Sequence, residues 1–233
     1  MSKTEVTYGN QMYHLDEENE VKNLVNIVFD EIEKAIDKEV LSEILNKFED
    51  KYKMPDDKYK KIEFKIEKQE FDDIVDFTFE KDDTILINDK IKDNTLAKLL
   101  YALAWKNGDL LKLKHIIKGI KNEGKNDEDK DDGLVFYQFG KYLTKEKGQP
   151  IVDQHVLRAF AISERMKKTN RINYSTPQWQ KMHLINKTNK FLIDDYKEWL
   201  NSENIKESLK QEEDYSYNID KILFALGKTI KHK

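Results

Sequence analysis

Residues 148–160 read GQPIVDQHVLRAF, and this stretch is the basis of the fold prediction. Gly148 and Pro150 predict a loop, and Asp153 follows them at the start of an apolar helix pattern. An aspartate in this position accepts the first backbone N–H groups of a helix, whose dipole favours the ionised carboxylate. Such a carboxylate in a cleft can stabilise a developing cation or activate a water molecule. On composition alone, the pattern favours an ordinary capped helix with a solvated basic face.

Helical periodicity continues on both sides of this segment, and the chain has only 8 Gly and 3 Pro, so we predict a mainly α fold. We expect the helix at Asp153 to cover residues 154–168, and Ser175-Thr176-Pro177 to start a long helix reaching Leu200. Other apolar helix patterns cover residues 96–106, 110–121, 133–143 and 219–230. Residues 133–143 are apolar on most faces, which is typical of a buried helix. Residues 94–233 are therefore predicted to form one helical domain.

The preceding residues, 1–93, are predicted to form a smaller mixed α/β module. Two amphipathic helix patterns occupy residues 16–37 and 40–48 and end near Met54-Pro55. Apolar residues then alternate with charged ones between residues 62 and 88, which favours two or three short strands. A turn at Asp82-Asp83 would separate two of these strands.

The charge changes sign at the same boundary. Residues 1–93 contain 15 Lys and 26 Asp or Glu, a net charge of −11, whereas residues 94–233 carry +7. Within the second part, residues 141–190 alone carry +8. This asymmetry indicates a polyanion-binding surface on the basic half and a solvating or partner-binding surface on the acidic half. Enrichment in Lys and Glu from AT-rich codon usage explains the same composition without a function.

The segment around Asp153 resembles the Gly/Pro-to-aspartate element of the helix–hairpin–helix DNA glycosylase superfamily. Six residues match that element as they stand: Gly148, Pro150, Asp153, His155, Val156 and Arg158. Residues 133–143 lie where the second hairpin helix would lie. Together with AWKNGDLLKLKHIIKGI and GLVFYQFGKYL, the segment resembles proteins described as 8-oxoguanine DNA glycosylase-like. The resemblance covers roughly residues 96–165.

The resemblance implies cleavage of the N-glycosidic bond of a damaged or modified base that has been flipped out of the DNA stack. Asp153 would stabilise the oxocarbenium-like sugar and activate water. The lysine of bifunctional members would fall at Gly133 and Leu134, so the implied activity is monofunctional hydrolysis without lyase chemistry. Candidate phosphate contacts in duplex or single-stranded DNA are Lys112, Lys114, Lys118, Lys121, His155, Arg158 and Arg165.

Other classes of function are less well supported by the sequence. The chain has no Cys, which excludes disulfides and thiolate chemistry, and its 5 His show no metal-ligand spacing, so we expect neither metal nor cofactor. No run is apolar enough for a membrane span and the N-terminus lacks a signal-peptide pattern, so a cytoplasmic protein is expected. Two alternatives remain open. One is a catalytically inert nucleic-acid- or protein-binding module on the same fold. The other is a different enzyme or a toxin-like factor, and a role in phage defence fits either alternative.

Overall fold

The computed structural model describes residues 4–55, 61–72, 95–122, 133–167, 174–186 and 188–232. Within these ranges the chain is mainly helical and contains one small antiparallel sheet, which confirms the predicted mainly α class. The chain divides into two compact units. We name the two units for their positions along the chain. The outer unit comprises Met1–Lys61 and Lys147–Lys233, and the middle unit comprises Ile62–Glu146.

The outer unit begins with a β-hairpin that was not predicted from the sequence. Strands β1 (Glu5–Tyr8) and β2 (Gln11–His14) pair antiparallel around a turn at Gly9 and Asn10. The local signal is a two-residue Gly-Asn turn between alternating residues, and Gly9 has a positive φ of 58°. Two predicted helices follow as α1 (Glu18–Lys34) and α2 (Lys38–Asn46), and a 3₁₀ turn covers Asp50–Tyr52.

The middle unit contains the short helix α3 (Lys68–Asp72) and the three longer helices α4 (Thr95–Lys106), α5 (Leu110–Lys121) and α6 (Leu134–Leu143). Helices α5 and α6 approach closely at two glycines, because a Cβ on Gly119 would lie 3.1 Å from the Cα of Gly140. The burial predicted around α6 is only partial: Gln138, Gly140, Tyr142 and Leu143 are buried, and its other residues are half-buried.

The chain returns to the outer unit with α7 (Gln154–Ile162), α8 (Thr176–Gln180), α9 (Phe191–Asn201), α10 (Glu207–Lys210) and α11 (Tyr215–Thr229). Helix α7 ends earlier than predicted because Ser163 leaves the helical conformation. The long helix predicted from Thr176 to Leu200 is wrong. Lys181 ends α8, and residues 181–190 separate it from α9.

Of the strands predicted between residues 62 and 88, none forms within the described residues 61–72. Residues 61–67 form no strand, and residues 68–72 are the helix α3. The segment with Ile62, Phe64 and Ile66 instead forms tertiary hydrogen bonds. The Ile66 N–H donates to the Leu143 carbonyl at 3.0 Å, and the Lys145 Nζ donates to the Ile62 carbonyl at 2.5 Å. The remaining predicted strands and the turn at Asp82-Asp83 lie outside the described residues.

The compact units differ from the predicted division at residues 93 and 94. That boundary itself lies outside the described residues, but residues 1–61 group with 147–233 rather than with the segment that follows them. The physical reason is that the apolar face of α1 packs into the C-terminal helices. The Phe29 ring of α1 lies 4.9 Å from the Trp199 ring and 6.2 Å from the Phe160 ring.

Candidate functional site: the polar cluster around Asp153

Asp153 is the N-cap of α7, as the sequence predicts. Its backbone is extended, and its Oδ1 accepts the N–H of His155 at 2.6 Å. The side chain is neither fully buried nor fully exposed. A carboxylate held in this way interacts favourably with the positive end of the helix dipole and retains acceptor capacity for another group. Local sequence alone is sufficient for this placement.

The loop before Asp153 contains a strained residue. Val152 has a φ of 61°, in the left-handed region, although its side chain is β-branched and only 1% exposed. A bulky residue in this conformation costs of the order of 1–3 kcal/mol and persists only where surrounding contacts enforce it. Gly148 also has a positive φ, of 71°, and a Cβ there would lie 2.1 Å from Asn201 Oδ1. The loop conformation is therefore determined by its packing.

Asp220 supplies the main polar anchor of this loop. It lies in α11, is 2% exposed, and its Oδ2 accepts the Ile151 N–H at 2.7 Å. Its Oδ1 accepts the hydroxyl of Tyr196 from α9 at 2.7 Å. Burial raises the pKa of Asp220 to about 7, and the charge of Asp153 acts in the same direction. The bonds from Tyr196, Ile151 and Val152 act in the opposite direction on this pKa. Asp220 was not predicted from the sequence, because its only local signal is an aspartate within an apolar helix.

Arg158 lies inside the outer unit, which corrects its assignment as a phosphate contact. The side chain is 0% exposed. Its Nε and Nη2 donate to the Met182 carbonyl, and Nη1 donates to the Gly227 carbonyl at 2.8 Å and to His155 Nδ1 at 2.6 Å. These carbonyls follow α8 and end α11, where unpaired carbonyl groups attract a cation. Burial lowers the pKa of Arg158 to about 10, so the guanidinium remains charged at neutral pH.

His155 is half-buried beside Arg158. Because a guanidinium has only donors, Nδ1 accepts and the imidazole proton resides on Nε2. The ring packs edge-on against Phe224 of α11, with centroids 4.9 Å apart. Burial is the main cause that lowers the pKa of His155, with Arg158 and Lys231 adding to it and Asp153 opposing it. His155 is therefore a neutral hydrogen-bonding group at pH 7.

Arg165 is also committed to intramolecular contacts, which corrects its assignment to DNA. Its guanidinium forms a two-point interaction with Glu33, at 3.0 Å through Nε and 2.9 Å through Nη2, and it also pairs with Asp30. The side chain is 13% exposed and lies over the Phe29 ring. Hydrogen bonding to Glu33 raises its pKa. Glu33 and Asp30 of α1 thus neutralise the charge of Arg165, which was predicted from the sequence to bind phosphate.

The four predicted lysine contacts lie on α5, which belongs to the middle unit. Lys112 pairs with Asp109 and lies 5.2 Å from the centroid of the Phe136 ring. Lys112, Lys114, Lys118 and Lys121 are each half-buried along this helix. Their assignment to phosphate stays a prediction. They and Asp153 belong to different compact units.

Two other cations of the outer unit, Lys228 and Lys231, lie near Phe224 and His155 respectively. The Nζ of Lys228 is 5.9 Å from the centroid of the Phe224 ring, which contacts His155, and Lys231 is close enough to lower the pKa of His155. Lys228 is half-buried, and Lys231 is exposed. The sequence signal that could have indicated them is the basic segment GKTIKH (residues 227–232), which begins 67 positions after Phe160. This segment adjoins α7 in the fold through the Arg158–Gly227 hydrogen bond.

Among the described residues, no group of three or more His, Asp or Glu side chains has an arrangement that would hold a metal ion. Within the same part of the chain, every helix is too short or too polar to cross a bilayer. No protein-family model, curated protein or solved structure matches this chain.

Proposed function

We propose that this protein hydrolyses the N-glycosidic bond of a base flipped out of DNA, with Asp153 as the catalytic carboxylate. The observation that carries the proposal is the position of Asp153, which is half-buried at the start of α7 and follows a strained loop tied to a buried aspartate. Strained backbone that surrounding contacts enforce is concentrated at functional sites. The resemblance of residues 148–160 to the glycosylase aspartate element supports the same assignment.

In the proposed reaction the bond between the sugar C1′ and the base nitrogen breaks, and its electron pair leaves with the base. The Asp153 carboxylate stabilises the positive charge that develops on the sugar. The water oxygen then adds to C1′, and one water proton passes to Asp153 and from there to the departing base. Neutral His155, held by Arg158, presents a hydrogen-bonding ring next to this carboxylate.

The phosphate contacts of the outer unit are proposed to be Lys228 and Lys231 rather than Arg158 and Arg165. Lys228 lies over the Phe224 ring that contacts His155, and Lys231 acts on His155 electrostatically. The two arginines, in contrast, donate their hydrogen bonds to carbonyls, a histidine and carboxylates of the chain itself. Neutralising several phosphates makes DNA affinity fall steeply with salt.

The test is base release by the full chain in single-turnover conditions. Labelled duplexes carry one 8-oxoguanine, uracil or hypoxanthine, and alkali cleaves the strand wherever a base has been lost. Asp153→Asn keeps the size and the capping oxygen, so stability should change by about 1 kcal/mol or less while release slows by roughly a hundredfold or more. Asp194→Asn, which removes an exposed carboxylate from α9, is the matched control and should release base at the wild-type rate. Equal rates in Asp153→Asn and wild type would remove this residue from the mechanism.

Two observations favour a second function, that of a catalytically inert binding module. The bond from the His155 N–H to Asp153 is also what an ordinary helix cap makes. On α4, Leu99, Leu100 and Leu103 are each more than half exposed, an apolar face that association with a protein would bury. Release of no base by the wild type, together with stable binding of a protein or nucleic acid, would favour this alternative.

A further inference from the structure

Asp220 is a buried titratable group that the proposed reaction does not use. Asp220 is 2% exposed in the apolar helix α11, and burying a carboxylate there costs desolvation free energy. An apolar residue of similar volume would pack without this cost. Its hydrogen-bonding partners are the Tyr196 hydroxyl and backbone N–H groups of the loop that precedes Asp153. The buried carboxylate thus accepts hydrogen bonds that hold the loop before Asp153 in place.

The loop needs such an acceptor because of its conformation. With Val152 in the left-handed region, the amides of Ile151 and Val152 point toward Asp220 and not along a helix or strand. Two further contacts hold the start of the loop more weakly, from Asn201 to the Gly148 carbonyl and from Ser216 to the Gln149 carbonyl, each at 3.5 Å. The bond to Asp220, at 2.7 Å, is the shortest of these side-chain contacts and the nearest to Asp153.

We propose that Asp220 is a positioning residue, which clamps the backbone of residues 151–152 and thereby orients the Asp153 carboxylate at the start of α7. Tyr196 supports the clamp by fixing the other oxygen of the same carboxylate. The inference rests on the proposed function insofar as Asp153 is catalytic, but the clamp itself is measurable without any reaction.

The charged and titratable groups that act on the clamp come from three elements. Asp153 at the start of α7 opposes ionisation of Asp220, and Tyr196 of α9 favours it. The nearby hydroxyl of Tyr215 acts on Tyr196. When Asp220 takes up a proton, its carboxyl group becomes a weaker acceptor for the loop amides. Loop protection should therefore follow the protonation of this carboxyl group, whose pKa of about 7 lies in an accessible range.

The first measurement is amide hydrogen exchange in the full wild-type chain, which needs no variant. Protection factors of the Ile151 and Val152 amides, corrected for intrinsic exchange, should fall at least fivefold between pH 8 and pH 5. The Leu157 amide, which donates to the Asp153 backbone carbonyl within α7, is the internal control and should keep its protection. A constant ratio between the loop amides and Leu157 over this range would overturn the clamp.

The second measurement compares Asp220→Asn with the control Asp194→Asn. We expect Asp220→Asn to abolish the pH dependence of loop protection and to slow single-turnover base release at least tenfold, with DNA affinity within twofold of wild type. Tyr196→Phe removes one donor to the carboxylate and should slow release by a smaller factor. Wild-type rates in Asp220→Asn would overturn the positioning role. If the wild type releases no base, the proposed function fails, whereas the exchange data still decide the clamp.

Discussion

The Nη1 of Arg158 donates to the carbonyl of Gly227 at 2.8 Å and so ties the middle of α7 to the last turn of α11. The two helices cross so closely here that a Cβ on Gly227 would lie 1.8 Å from the His155 carbonyl oxygen. Arg158 is among the largest fully buried side chains in the part of the chain that the structure describes. Arg158, which was predicted from the sequence to contact DNA, therefore joins α11 to α7, the helix that begins at Asp153.

Arg158→Met is expected to destabilise the protein by about 3 kcal/mol, because it leaves the Met182 and Gly227 carbonyls and His155 Nδ1 without their donor. Arg158→Lys should recover only part of this loss, since an ammonium cannot reproduce the planar set of donors. Urea unfolding measures both variants. Lys206→Met removes an exposed cation and should change stability by less than about 0.5 kcal/mol. Equal stability of Arg158→Met and Lys206→Met would contradict the buried role of Arg158.

Stability should depend on pH through Asp220. Burial raises its pKa in the folded protein to about 7 from the ordinary value of 3.8, so the folded state binds more protons than the unfolded state between these values. The contribution of Asp220 to stability is full below about pH 4 and is lost as pH rises toward 7, by roughly 4 kcal/mol in total.

The measurement for this prediction is the free energy of unfolding from urea titrations between pH 4 and 8, in wild type and in Asp220→Asn. The difference between the two should shift in favour of Asp220→Asn as pH rises, because Asn does not ionise. Asp194→Asn serves as the control for loss of a surface carboxylate. Parallel curves for wild type and Asp220→Asn would show that Asp220 does not titrate in this range.

Removal of residues 1–93 should abolish cooperative folding of the outer unit. The fragment 94–233 lacks α1, so Phe160 and Trp199 lose the Phe29 ring, and Arg165 loses Glu33 and Asp30. In contrast, a chain that joins residues 1–61 to 147–233 through a flexible Gly/Ser linker should retain a cooperative thermal transition. Calorimetry of both fragments is the measurement. A sharp transition in 94–233 alone would restore the division at residue 93.

DNA affinity should depend on Lys228 and Lys231. The double variant Lys228→Gln/Lys231→Gln is expected to weaken binding to duplex DNA and to reduce the slope of log affinity against log salt by about 2, one for each lost phosphate contact. Fluorescence anisotropy between 50 and 300 mM salt measures this slope. The control Lys34→Gln/Lys206→Gln removes two exposed lysines from other surfaces and should leave the slope unchanged. Identical slopes in the two double variants would exclude this surface.

Local patterns were sufficient where a few neighbouring residues govern the conformation. Apolar periodicity identified α1, α2, α4, α5 and α11, and Gly148, Pro150 and Asp153 identified the loop and cap at α7. These features depend on spacing and capping within one or two helical turns, which the order of residues specifies directly. The hairpin at Gly9 had an equally local signal and was missed.

The roles of the charged side chains depended on contacts between residues far apart in the chain. Arg158 and Arg165 look alike on a helix pattern, but one binds helix-terminal carbonyls and the other binds carboxylates of α1. Asp220 meets Ile151 across 69 positions of the sequence. Whether a charge is solvated, paired or buried is a property of the packed neighbours around it, because desolvation and hydrogen bonding set its energy. Spacing along one helix carries no information about those neighbours, so folding alone placed Asp220 beneath the Asp153 loop and turned Arg158 inward.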